Sequence, residues 1–260
     1  MRLNQVLVVY KQAPRDNALH YSTLNELYAV LKELGIPFDM VSSRHLTSRL
    51  EADLVITVGG DGTVLAASHF IDDVPILGVK SFGKKSVGYF CAVTKKDMRR
   101  YIADVVNGKK RPIRLHRLKV TINRQTLAEL ALNDILFSSA LPASTSRYKL
   151  CVRGKKEEQK SSGVWVSTSA GSTAAIKAAG GRVLPITSDK MEYLVREPYT
   201  AGKRYGLTKG VLPPHARVKI VSMMRDGTVF IDGGSTQYPA PAGAQVEISS
   251  AGRPLKMFWR

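Results

Sequence analysis

The sequence predicts an α/β layer with a parallel sheet in its first third and a β-rich second domain of antiparallel strands after it. Three observations predict this. Short continuous apolar runs alternate with helix-spaced apolar residues in the first hundred positions, as expected of strands buried on both faces and joined through helices. A glycine-rich turn, Gly59-Gly60-Asp61-Gly62-Thr63, joins one such run to a helix. From about residue 113 the texture changes to apolar/polar alternation punctuated by Gly and Pro, the pattern of half-buried strands.

The elements follow in order. Gln5–Tyr10 (QVLVVY) is a buried-strand run. Leu24, Leu27, Tyr28, Leu31 and Leu34 keep helical spacing behind a Thr23-x-x-Glu26 capping box, and Gly35 followed by Pro37 stops the helix. Asp53–Val58 (DLVITV) is the next strand and ends in the glycine turn. A small-residue helix is expected from Thr63 to about Phe70, then a strand over Ile76–Val79 after Pro75. Further on, Leu118–Ile122, Tyr148–Val152, Val218–Val221 and Val229–Ile231 alternate as strands. A helix over Ser172–Ala179 interrupts them.

Length and composition bound the function. At 260 residues the chain suits one large domain or two modest ones, with a core that needs no staples. Lys and Arg number 39 against 21 Asp and Glu, a net charge of +18, which calls for an anionic partner. The cations are spread along the chain, and no zinc-finger, basic-zipper or RNA-binding strand motif is present. A phosphorylated small molecule needs the same field in a smaller place. Two cysteines, Cys91 and Cys151, make no disulfide framework and point to a reducing compartment. No apolar run approaches the ~20 residues that span a bilayer, and no secretion-signal pattern opens the chain. A soluble cytoplasmic protein is the expectation, without a membrane partner. The five histidines lack metal-ligand spacing, and no residue is assigned as a metal ligand.

Four segments carry chemistry. In Gly59–Thr63 the glycines let backbone approach a ligand, and the helix start behind them favours a phosphate. Asp61 in the middle would repel a phosphate, yet suits a base that takes the proton of an attacking hydroxyl. A plain βα turn with a capping Asp fits the same spacing. Ser167–Ala175 is a run of small residues behind the strand Gly163–Val166; its composition favours a flexible Ser/Ala loop leading into a helix, while its small side chains also leave room for a flat ring and its hydroxyls can satisfy a ribose or phosphate. Asn133-Asp134 can read neighbouring hydroxyls or a base edge, or mark a turn. Asp232-Gly233-Gly234 reads as a hairpin turn.

These four pieces, in this order, resemble the NAD kinase family, whose members carry Gly-Gly-Asp-Gly-Thr, an Asn-Glu pair, Ser-Thr-x-x-Gly-Ser-Thr-Ala and an Asp-Gly turn. Glu158–Gly163, Gly88–Cys91 and Val195–Pro198 are similar to stretches of the NADH kinase and mitochondrial NAD kinase branch. The resemblance implies a Rossmann-like parallel-sheet domain over residues 1–98, with the C-terminal strand 247–260 returning to it. It also implies a β-sandwich-like dinucleotide domain over 99–246.

It implies the activity too: phosphorylation of the adenosine-ribose 2′-hydroxyl of NAD⁺ or NADH by ATP, with Mg²⁺ bound through the donor phosphates. Asp61 would be the base. Gly59, Gly60, Thr63 and Lys84 would meet the donor phosphates, with Gly62 shared between donor and dinucleotide. Asn133, Asp134, Thr173, Ala174, Ala175 and Ala178 would hold the dinucleotide. Lys160 and Ser162 would face its nicotinamide half, in a homodimer or homotetramer. Ser162 replaces the family's usual aspartate and Ala175 its usual tyrosine, which implies weaker discrimination by nicotinamide charge. Two other readings compete. A lipid kinase of the diacylglycerol or sphingoid type shares the glycine loop but needs an apolar acceptor cleft. A non-catalytic anion or nucleic-acid binder would explain the charge and leave Asp61 without a purpose.

Overall fold

The computed structural model describes residues 3–83, 87–202 and 204–260. They form two compact units: Met1–Arg114 with Leu255–Arg260, and Leu115–Pro254.

The first unit is built on a mostly parallel sheet. Its elements are β1 (Val6–Tyr10), α1 (Ala18–Glu33), β2 (Phe38–Ser42), β3 (Leu54–Gly59), α2 (Asp61–Ser68), β4 (Ile76–Lys80), β5 (Cys91–Thr94), α3 (Met98–Val106) and β6 (Ile113–Leu115). The sheet order is β2-β1-β3-β4, continued by a last strand and β6, with β5 also paired to β4. β3 is buried at every residue, as a central strand covered on both faces must be. α1 turns Leu24, Leu27, Val30 and Leu31 inward, the i, i+3, i+7 stripe that a core-facing helix needs. Its start differs from the sequence expectation. Asn17 caps the helix by accepting from His20 N–H at 3.1 Å, and Thr23 sits a turn further in, donating to the Leu19 carbonyl at 2.7 Å. At the other end Gly35 N–H reaches Lys32 O and Ile36 N–H reaches Leu31 O, the paired bonds of a Schellman motif. α2 begins at Asp61, two residues before the expected start.

α3, which the sequence reading did not mark as a helix, buries Met98, Tyr101, Ile102 and Val105 in the same core as β1 and β3. The helix therefore belongs to the first unit, and the division falls after Arg114, within β6, rather than at residue 98. It coincides with the change in apolar texture.

The second unit is a β-sandwich. Its strands are β7 (Leu118–Ile122), β8 (Gln125–Thr126), β9 (Asp134–Ser139), β10 (Ser146–Val152), β11 (Lys155–Ser161), β12 (Val164–Thr168), β13 (Met191–Val195), β14 (Lys209–Leu212), β15 (Arg217–Ser222), β16 (Gly227–Ile231), β17 (Thr236–Pro239) and β18 (Gln245–Ser250). One sheet runs β11-β10-β15-β18-β7-β8 and the other β14-β13-β12-β9-β16-β17. All pairings are antiparallel. β15 alternates exposed and buried residues along its whole length, so Val218 and Ile220 enter the core while Arg217 and Lys219 face water. That core gathers Leu118, Phe137, Tyr148, Leu150, Val166 and Ile248 from both sheets.

The expected helix over Ser172–Ala179 is two short pieces, a 3₁₀ turn Ala170–Thr173 and α4 (Ala175–Ala178). The returning strand is also shorter than expected. β18 stays in the second unit, paired to β15 and β7, and only β19 (Leu255–Phe258) joins the first sheet, with Met257 and Phe258 opposite Ile76 and Leu77.

Candidate active site

In the first unit the chain leaves β1 through α1 to β2 on one side, while β3 lies on the other. Such a reversal opens a crevice at the carboxyl ends of the two strands, where open α/β sheets bind ligands. A cavity of about 510 Å³ occurs there, lined by Lys11, Gln12, Ser43, Arg44, Gly60, Asp61, Gly62, Thr63 and Phe82. The glycine turn forms one wall. A Cβ at Gly59 would stand 2.1 Å from Thr63 Oγ1, so the absence of a side chain lets Thr63 tuck against the strand end. Gly60 is the N-cap residue of α2, with extended backbone and no side-chain cap. Asp61 Oδ1 accepts from Phe90 N–H at 2.7 Å, which fixes the carboxylate's orientation on the cavity wall. Lys84 lies outside the described residues.

The second unit assembles a different group. Asn133 precedes β9 and Asp134 opens it, beside the end of β12, and Thr168 N–H donates to Asn133 O at 2.9 Å. Ser167 Oγ donates to the same carbonyl at 3.0 Å. Gly171 packs so closely that an added Cβ would stand 2.1 Å from Asn133 O. The hydroxyls of Ser167, Thr168, Ser169 and Ser172 are consumed internally. Ser169 Oγ donates to Lys190 O at 2.9 Å; Ser172 Oγ donates to Ser169 O at 2.7 Å and accepts from Leu184 N–H at 2.9 Å. They are struts rather than ligand contacts. Thr173 and Ala174 are half-buried, and Ala175 and Ala178 are exposed.

Asp232 does more than turn a hairpin. Held at φ 51°, it accepts from the N–H groups of Leu132 (2.8 Å), Asn133 (2.7 Å) and Asp134 (3.1 Å). It thereby fixes the backbone of the Asn-Asp pair. Burial, with the Asp232 charge adding to it, pushes the Asp134 carboxyl from 3.8 up to about 7. The Asn133 side-chain oxygen is buried without a partner among the described residues. That leaves an acceptor to satisfy, which a ligand amino group can do.

Lys160 and Ser162 belong to neither group. Lys160 Nζ lies 4.3 Å from the centroid of the Tyr199 ring, and Ser162 N–H donates to Arg196 O at 3.0 Å. The sequence reading missed Lys11, Arg44, Phe82 and the Asp232 clamp. The first three come together only through strand order, which residue spacing does not carry. The clamp was visible only as an Asp-Gly turn.

A family profile for the ATP-NAD kinase N-terminal domain matches residues 17–110. The chain is 34% identical to a probable NADH kinase of Oryza sativa subsp. japonica, over 92% of this chain and 81% of that one. The chain belongs to the NAD kinase family. The NADH kinase of Arabidopsis thaliana is 33% identical over 92% of this chain and 83% of its own. Among solved structures, yeast NADH kinase complexed with NADH superposes with a TM-score of 0.82 at 15% identity, over 100% of this chain and 84% of that one. An NAD kinase from Archaeoglobus fulgidus in complex with ATP gives 0.78 at 22% identity, over 98% and 93%. At these identities the structures establish the fold. In this family member no described helix is long and apolar enough to cross a membrane.

Proposed function

We infer that this chain is an NAD(H) kinase, transferring the terminal phosphoryl group of ATP to the adenosine-ribose 2′-hydroxyl of NAD⁺ or NADH to give NADP(H). The observation that carries the reading is Asp61: a carboxylate held by a backbone N–H on the wall of a cavity at the strand ends. A carboxylate is misplaced in a site that only binds phosphate, and well placed to take the proton of a hydroxyl attacking a phosphoryl group.

Gly59, Gly60, Gly62 and Thr63 border the donor phosphates on this reading. Asn133 and Asp134 hold the adenosine half, with Asn133 Oδ1 accepting from an amino group. Thr173, Ala174, Ala175 and Ala178 line the ribose and base, and Lys160 and Ser162 take the nicotinamide half. Among the described residues no cluster of three or more His, Cys, Asp or Glu forms a cation cage. Asp61 is the carboxylate on the cavity wall, a donor set that fits Mg²⁺ carried by the phosphates. When bound there, the ion neutralises charge developing on the phosphates.

The protein acts as a cytoplasmic homo-oligomer, a dimer or a tetramer, which light scattering of the purified protein distinguishes. The deciding assay offers ATP–Mg²⁺ with NAD⁺ and with NADH separately and reads NADP(H) through a coupled dehydrogenase. Product from either is expected, with little discrimination between them because Ser162 and Ala175 replace an acid and a tyrosine. No product from either, with inorganic polyphosphate also tried as donor, overturns the reading.

A further inference from the structure

Lys11 and Arg44 share the cavity wall with the glycine turn and are assigned no part in the chemistry by the sequence motifs. Lys11 is the first residue beyond β1, and its N–H donates to Val58 O of β3 at 3.0 Å. A Cβ placed on Gly59 would lie 3.3 Å from Lys11 Cβ. The lysine therefore stands directly beside the glycine turn, and the strand pairing fixes its root. Its ammonium lies 4.7 Å from the centroid of the Phe82 ring, an arrangement stabilised by the ring quadrupole. Phe82 is backed in turn by His20, whose ring is 5.3 Å away. His20 Nδ1 meets Ser81 Oγ at 2.7 Å, which pins the residue before Phe82. Arg44 comes from the segment after β2, and its guanidinium reaches Gln12 Oε1 at 3.5 Å. Among the described residues that line the cavity, Asp61 is the one acidic side chain beside the two cations.

We propose that Lys11 and Arg44 bind the oligophosphate chain of the donor, with Lys11 held over Phe82 until the chain arrives and then donating to phosphate oxygens. The inference rests on the kinase reading above for the identity of the reaction, but not for the presence of the anion site. Two cations facing a cavity that also holds Asp61 offset the repulsion between that carboxylate and an incoming polyanion. Arg suits a forked contact with phosphate, while Lys acts as a point charge. Phe82 is the single aromatic among the described residues on the wall, and Lys11 already lies over its ring, so the recognised chemistry is the phosphate chain, supplied by ATP or by inorganic triphosphate.

The test is steady-state kinetics of the full chain with Lys11→Gln, Arg44→Gln and Lys11→Arg, varying ATP at saturating dinucleotide and then the reverse. Lys32, which lies 4.8 Å from the Tyr28 ring and does not line the cavity, gives the control Lys32→Gln. Each Gln variant should raise the KM for ATP about tenfold or more, in keeping with the strength of charge-assisted phosphate contacts. The KM for the dinucleotide should change less than twofold. Lys11→Arg should restore most of the loss, and Lys32→Gln should match the parent protein. Inorganic triphosphate should compete with ATP in the parent and lose that competition in Lys11→Gln. Turnover with an unchanged KM for ATP in both Gln variants overturns the proposal and leaves the kinase reading intact. Absent turnover in the parent, with ATP binding by calorimetry that still depends on Lys11, overturns the kinase reading and upholds this one.

Discussion

At Gly62 an added Cβ would meet no atom within 4 Å, whereas at Gly171 it would stand 2.1 Å from the Asn133 carbonyl oxygen. Both glycines sit in small-residue stretches that run from a strand into a helical turn, and in sequence the two stretches look alike. Their uses are opposite. Around Gly62 smallness keeps space open beside Asp61 and two cations. Around Gly171 it lets two backbones touch, and the nearby hydroxyls of Ser167, Ser169 and Ser172 hold the contact shut. The first region is built to receive something, and the second to hold Asn133 and Asp134 still. Composition identifies neither purpose; the neighbours contributed by distant segments do.

The largest effect should come from the open region. Asp61→Asn is expected to lower kcat by about 10²–10⁴-fold while leaving dinucleotide affinity, measured by fluorescence titration, near that of the parent. Normal turnover in that variant would remove Asp61 from the chemistry.

The glycine pair tests the contrast directly. Gly171→Ala forces the Asn133 backbone aside and should cost roughly 2–3 kcal/mol in chemical denaturation, as overpacking does. Gly62→Ala, inside α2 with free space around it, should keep or raise stability by up to about 1 kcal/mol. Its added methyl narrows the cavity instead, so its loss should appear as turnover. If the two variants lose stability equally, the distinction between open and closed glycines fails.

Asp134 gives a pH signature to the closed region. Its carboxyl is raised from 3.8 to about 7 by burial and then by the Asp232 charge. Between those values the folded protein holds a proton that the unfolded chain has released, so stability falls as pH rises from about 4 to about 7. The full penalty, on the order of a few kcal/mol, applies above that window. Asp134→Asn, a neutral isostere, should raise the melting temperature at pH 8 and leave it nearly unchanged at pH 4. An identical pH dependence in both proteins would show that Asp134 ionises freely.

Ser172→Ala should produce the smallest change. It deletes the acceptor for Leu184 N–H and the donor to Ser169 O, a loss of about 1–2 kcal/mol. The KM for the dinucleotide should stay within twofold of the parent, because the hydroxyl is a strut. A large rise in that KM would make Ser172 a ligand contact.

Much of the fold was legible because burial leaves a periodic trace. The runs at β1, β3 and β4 are mostly apolar, and α1 carries its stripe. The order of the motif blocks led to the family. Other features left no such trace. β11 reads KKEEQKS, a polar edge strand in which only Gln159 and Ser161 are buried, so its strand character comes from pairing with β10. α3 carries a clear stripe in the structure, but Arg99, Arg100 and Asp104 dilute its apolar residues in sequence. The Asp232 clamp joins segments about a hundred residues apart, and no local pattern encodes that. In the candidate site the glycine turn was evident because three glycines around one acid are chemically odd. The composition of Ser167–Ala175 favours a Ser/Ala loop and also fits a ligand-binding turn, because free and internally bonded hydroxyls look the same in sequence.

The return of Leu255–Phe258 to β4 gives the first unit a seam in time as well as in space. Residues 115–254 are continuous, so on the ribosome the second unit has every strand in hand before β19 emerges. At roughly 5–20 residues per second of synthesis, the edge of β4 at Ile76 and Leu77 waits about ten to forty seconds for its partners Met257 and Phe258. An apolar strand edge left bare for that long is a template for pairing with a neighbouring nascent chain. Tyr101 Oη, which donates to Trp259 O at 2.6 Å, and Tyr89, whose ring packs edge-on to Trp259 at 5.1 Å, are the latches that close the seam when the last strand arrives.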